Sequence, residues 1–337
     1  MTRFSLCLAF GLLTLSLLGA LTGCRPAADS QTSDTRTNTP RKDVGFRPEG
    51  CIAPSVQSIQ DGTYKPLSRP LFLYVNKAVL KKPEAVAFLR YYFSDISHEL
   101  IPEAGFIPLP EQKFREESEK LEAAIKAAGT VVSGELYGQL IVDGSSTVAP
   151  VSTVMAEEFS LANPTVRVPV GSSGTGGGFK KFCHGEISIC DASREIKESE
   201  IELCRKAGID YLALEICLDG ITIVVNPEAD WIAGITIDEL RRLWNPKSTI
   251  HKWSELRPEY PDAPIKLFGP DTDSGTFEYF TETVCGKKGA SRSDYQQSGD
   301  DNFLVTGVSG DRYALGYFGY AYYTENQHKL KALSVAP

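Results

Sequence analysis

An α/β fold of two domains is what this sequence predicts, and three observations carry the prediction. From Leu140 onward, short apolar, β-branched runs alternate with helical runs, the pattern of strands and crossover helices around a substantially parallel sheet. Three strand-to-helix junctions share one design: Asp143-Gly-Ser-Ser-Thr147, Gly171-Ser-Ser-Gly-Thr-Gly-Gly-Gly178 and Asp271-Thr-Asp-Ser-Gly-Thr276. A chain of 337 residues is long enough for two hydrophobic cores.

Taken in order, the chain begins with Arg3, an apolar run from Leu6 to Leu21, and Leu21-Thr-Gly-Cys24. A charged start, an apolar stretch and small residues before a cysteine form the layout of an export signal over 1–23. The Leu-x-Gly-Cys ending resembles the bacterial lipobox, which implies cleavage before Cys24 and lipid on its sulfur. Residues 24–45, rich in Thr, Ser, Asp and Pro, read as a flexible tether. Pro70 to Val75 is a strand, and Glu84 to His98 has helical spacing of Val86, Leu89, Tyr92 and Phe93. Glu111 to Ala128 is a charged surface helix with Phe114, Leu121 and Ile125 near one face and Gly129 as its C-cap. The small-residue connector 130–138 follows.

Strands are then expected at 140–142, 166–170, 187–190, 211–216, 221–225 and 265–268. Helices are expected from Pro150 to Leu161, from Phe179, through Cys204, over 236–244 and from Phe277. The glycine-rich stretch Val170 to Gly178 reads as a loop between a strand and the Phe179 helix. Glycine allows close backbone approach to a ligand, and a helix N-terminus presents unpaired N–H groups to an anion.

The chemistry of the junctions points to binding. A P-loop would need Lys-Ser or Lys-Thr after its last glycine, whereas Phe179-Lys-Lys-Phe182 follows here. Thr175 stands where a nucleophile elbow would close with glycine. No histidine lies in any junction to act as a base, so the hydroxyls read as hydrogen-bond donors and the chain as a binding protein, not an enzyme. A net charge of −8 with no basic run argues against nucleic acid. Cysteine and histidine spacings match no metal pattern, and neither a metal nor a cofactor is expected. With Cys7 in the export signal and Cys24 lipidated, six cysteines remain for structural bridges, as export permits.

These junctions, with Asp191-Ala-Ser-Arg194, Tyr260-Pro-Asp262, Gly289-Ala-Ser-Arg292 and Leu315-Gly-Tyr-Phe-Gly-Tyr-Ala-Tyr-Tyr323, resemble the motifs of periplasmic phosphate-binding proteins, the PstS/SphX-type lipoproteins of the ABC phosphate importer. The resemblance implies the periplasmic-binding-protein type II fold, in which two α/β domains joined by two crossover strands close over one anion. It implies no catalysis, inorganic phosphate as ligand, an ABC permease as partner, a monomer, and a lipid-anchored protein at the periplasmic or cell-surface side.

The order of elements departs from the family. The Arg69–Asn76 strand and the 105–110 stretch normally stand near the C-terminus, so the chain is expected to be a circular permutant with 111–138 joining the family's old ends. Domain I then spans about 71–226, and domain II combines 46–70 with 227–337, with crossover strands at 71–76 and 218–226.

By position, the phosphate contacts implied are Ser146, Thr147, the Val148 backbone, Ser172, Ser274, Gly275 and Thr276. Arg194 would be the cation, and Asp191 or a later aspartate, Asp273 foremost, would accept the ligand's proton. On this domain division the expected disulfides are Cys183–Cys204, Cys190–Cys217 and Cys51–Cys285. Another oxyanion such as sulfate or molybdate, or a signalling or adhesion lipoprotein with a relic site, are the alternatives.

Overall fold

The computed structural model describes residues 45–337; the expected signal, Cys24 and all but the last residue of the tether lie outside them. Ser55 and Ser58 form a reciprocal cap that starts α1 (Val56–Gln60), and β1 (Ser68–Asn76) follows. The single helix expected over 84–98 is two, α2 (Pro83–Tyr92) and α3 (Asp95–Leu100). Ser94 divides them by accepting the Ser97 N–H as N-cap of the second. After β2 (Ile107–Pro108) comes α4 (Glu111–Ala128), which stops at Gly129 in a left-handed conformation, φ 72°. Phe114, Glu117, Leu121 and Ile125 form its buried face. Glu117 is held there by Lys113 and Lys120 and by the Glu215 N–H.

The alternating region runs β3 (Gly138–Gln139), β4 (Val142–Gly144), α5 (Ala149–Ala162), β5 (Val166–Arg167), α6 (Thr175–Cys183), β6 (Ile189–Ala192), α7 (Glu198–Lys206) and β7 (Tyr211–Val225). It continues through β8 (Gly234–Thr236), α8 (Ile237–Trp244), α9 (Trp253–Leu256), β9 (Lys266–Pro270), α10 (Gly275–Cys285) and β10 (Gln296–Ser298). The chain closes with α11 (Asp301–Ser309), β11 (Ala314–Gly319), α12 (Tyr320–Asn326), β12 (Lys331–Ala332) and β13 (Ser334–Ala336).

Three expectations are corrected here. The strand expected over 166–170 is regular only at β5. Pro169 has no N–H to give a ladder, and Val170 makes a single bridge to Val142. Half of the glycine-rich stretch is helix, not loop: Gly174, at φ 76°, is the N-cap, and Thr175 to Gly178 are the first turn of α6. The two strands expected at 211–216 and 221–225 are one strand of 15 residues.

That strand, β7, organises the main sheet, whose order is β10-β9-β11-β7-β1-β6-β4. Its first part pairs antiparallel with β1, Asn76 opposite Tyr211 and Ser68 opposite Gly220. Its last part pairs antiparallel with β11, Gly319 opposite Ile221 and Leu315 opposite Val225. The flanks, β4 with β6 and β10 and β11 with β9, are parallel. The sheet is therefore mixed, antiparallel at its centre and parallel outside. Trp244 and Trp253 are fully buried in aromatic clusters, Trp244 edge-on to Phe280, Tyr295 and Tyr317.

Of the three expected disulfides the structure contains Cys183–Cys204, joining the end of α6 to α7 across 21 residues. The other two are corrected, since Cys190, Cys217, Cys51 and Cys285 are free. Cys190 sits opposite Tyr74 and Cys217 opposite Leu71, so β1 and three residues of register separate them. They also belong to different hydrophobic clusters, and a bridge cannot span that distance. Cys51 lies against Ile235 and near Glu239, whereas Cys285 lies near Arg241. Two positions on α8 so spaced point about 200° apart.

Candidate functional site: an anion cleft

The three hydroxyl- and glycine-rich junctions meet in one cleft of about 690 Å³. Thr147 comes from the turn before α5, Ser173 to Gly177 from the start of α6, and Gly275 and Glu278 from the start of α10. Arg69 of β1, Ser193 and Arg194 after β6, and Tyr279 complete the part that bears on binding. Glycine is what allows the approach. A Cβ on Gly275 would stand 2.3 Å from Thr147 Oγ1, and one on Gly178 would stand 2.6 Å from the Gly144 Cα. The first contact brings the N-termini of α5 and α10 together, and the second seats α6 on β4.

Arg69 ties these parts to one another. Its guanidinium pairs with Asp219 at 3.1 Å, donates to the Ser193 carbonyl at 3.3 Å and to Thr147 Oγ1 at 3.1 Å, and lies 3.7 Å over the Tyr279 ring. Asp219 is on β7, so the pair links the two long antiparallel strands where the cleft opens. Around it, Thr175 Oγ1 and Ser193 Oγ are 3.0 Å apart. Asp143 accepts the Ser173 N–H at 2.9 Å and the Lys181 ammonium. Burial alone would raise the Asp143 pKa, but these hydrogen bonds outweigh it and hold it below the ordinary range.

Thr147, Arg194 and Gly275 of the expected contacts line the cleft. Ser146 reaches it indirectly, donating to Glu278 Oε2 at 3.3 Å. Val148 is fully buried with its N–H on the Ser145 carbonyl. Ser274 is the N-cap of α10 and accepts the Thr276 N–H, so both serve the helix end itself. Ser172 is exposed and off the lining, where its neighbour Ser173 stands.

The charged expectations change most. Arg194 is gripped by both oxygens of Glu200, at 2.8 and 2.9 Å. Asp191 is wholly buried behind the cleft, one oxygen accepting from Ser152 and the other unpartnered, and burial pushes its pKa up to about 8. Asp273 is exposed and outside the lining. Neither aspartate faces the cleft. Arg69 was missed because it reads as the first residue of an apolar strand. The available signal was a second charge, Asp219, at the matching end of the other long strand.

A family model described as the PBP superfamily domain matches residues 130–335. The chain belongs to the PBP superfamily. With the mixed sheet described above, it has the type II fold of that superfamily. Within the superfamily it is similar to Protein SphX of Synechocystis sp., 48% identical over 198 residues, which cover 58% of this chain and 59% of that protein. It is also similar to the phosphate-binding protein PstS of Staphylococcus saprophyticus, 36% identical over 215 residues, 64% of this chain and 66% of that protein. The match thus spans less than two thirds of these curated relatives. A solved structure, a possible phosphate binding protein from Planctomyces limnophilus, is 50% identical with a TM-score of 0.57, covering 59% of this chain and 70% of that one.

Proposed function

We propose that this chain captures inorganic phosphate in the cleft and delivers it to an ABC-type import permease, acting as a monomeric binding protein and not as an enzyme. The observation that carries the reading is the convergence of three hydroxyl-bearing helix entries on one cleft with Arg69 at their centre. Hydrogen bonds to a charged ligand contribute about 1.5–3 kcal/mol each. A handful therefore reaches the roughly 8 kcal/mol of micromolar binding after ordering costs. The names of SphX and PstS relatives support phosphate as the anion.

The reading includes two domains, about 71–226 and 46–70 with 227–337, hinged on β1 and β7. It includes a circularly permuted order. Supporting that order, β1 precedes in sequence the strands β6 and β7 between which it lies, and Ile52 exchanges backbone hydrogen bonds with Val335. It also includes export and a lipid on Cys24, and among the described residues no helix is long and apolar enough to cross a membrane. Calorimetry with phosphate, arsenate and sulfate tests the central claim. Micromolar or tighter phosphate with no measurable sulfate is expected, and equal affinity for sulfate overturns it.

A further inference from the structure

Phosphate and sulfate differ in that hydrogen phosphate carries a proton, and a carboxylate in the cleft can read it. We propose that Glu278 is this carboxylate, accepting a hydrogen bond from the ligand's P–OH and turning away oxyanions that have no proton to give; the proposal rests on the phosphate reading above. Asp191 is sealed behind the cleft and Asp273 stands outside it, so neither can take the part. The acids on the lining are Glu195, Glu278 and Glu282.

Glu278 is the one placed among the anion donors. It lies one turn after Gly275, the residue packed against Thr147, and Gly275, Glu278, Tyr279 and Glu282 share the helix face that borders the cleft. Its Oε2 accepts from Ser146 Oγ at 3.3 Å and from Lys288 Nζ at 2.7 Å. These two contacts hold the carboxylate across the cleft from the α10 side to the α5 side. Oε1 has no hydrogen bond to another of the described residues. A fixed acceptor gains a charge-assisted bond from hydrogen phosphate but meets sulfate as acceptor against acceptor and charge against charge, so discrimination arises from the repulsive side.

Calorimetry on the full chain and on Glu278→Gln, with inorganic phosphate and with sulfate, tests this, circular dichroism reporting the fold. The substitution is expected to weaken phosphate about tenfold or more and to narrow the phosphate-to-sulfate ratio by at least as much. Glu278→Asp, one methylene shorter, is expected to lose part of the discrimination and decides the matter alone if the glutamine variant does not fold. An unchanged ratio in the folded variants, including equal weakening of both anions, overturns the proposal. Failure of the unaltered chain to bind phosphate instead overturns the phosphate reading, and this one with it.

Discussion

A buried aspartate with one bonded and one unpartnered oxygen ties the stability of this protein to pH. Burial, with the nearby charge of Asp143 adding and the Ser152 hydrogen bond opposing, raises Asp191 to about 8 in the folded state, against about 3.9 unfolded. Between those values the folded chain keeps a proton that the unfolded chain has released. Stability from this group is therefore full below about pH 4 and is lost as pH rises to about 8, with a slope approaching 1.4 kcal/mol per pH unit. Asp143, whose folded pKa is lowered, acts in the opposite sense and only below that window. Urea unfolding of Asp191→Asn between pH 5 and 8 is expected to show a flatter pH profile and a growing margin of stability over the unaltered chain. Parallel profiles would show that Asp191 is ionised in place. The residue's chemistry was legible in sequence, but its depth was not. A strand places alternate residues on opposite faces, and nothing in Asp191-Ala-Ser-Arg194 says that a helix covers the face Asp191 occupies.

Among the elements, α6 shows what a run of glycines does inside a helix. Gly178 faces the sheet, where a methyl would meet the Gly144 backbone and Cys190 Sγ at 2.9 Å, while a Cβ on Gly176 meets nothing within 4 Å. Opposite outcomes follow from neighbouring positions. Gly178→Ala is expected to destabilise by about 1–3 kcal/mol through overpacking. Gly176→Ala is expected to stabilise by up to about 1 kcal/mol through helix propensity. Thermal or urea melts of the two variants check this, and a shared sign would mean that α6 does not sit against β4 as described. The sequence made close approach at these glycines legible, but not its object. Half of the run approaches the protein's own sheet, and only the Ser173–Gly177 segment also borders the cleft. By contrast α4 was readable to the residue at both ends, because a local cap and a local periodicity define it.

At the scale of the whole molecule, the alternation of strands and helices was readable, and the antiparallel centre was not. Two strands far apart in sequence must meet to make it, and only the Arg69–Asp219 pair marks the meeting point. The proposed permutation belongs to this scale. A chain reopened within 130–138 and closed from Pro337 to Phe46 by a short flexible linker is expected to fold and to bind phosphate within about threefold of the original. Calorimetry and circular dichroism on that chain check it, and an insoluble product, or a tenfold loss of affinity, would count against the permuted order.

The two unbridged thiols of the central sheet have a use beyond disproving a disulfide. Cys190 and Cys217 are fully buried in separate hydrophobic clusters, with β1 between their strands. A thiol reagent reaches each only when the layer above it opens, so the chain carries two internal clocks, one for each cluster. If they run at one rate the sheet opens as a unit. If they run at different rates, one layer can lift while the other stays closed.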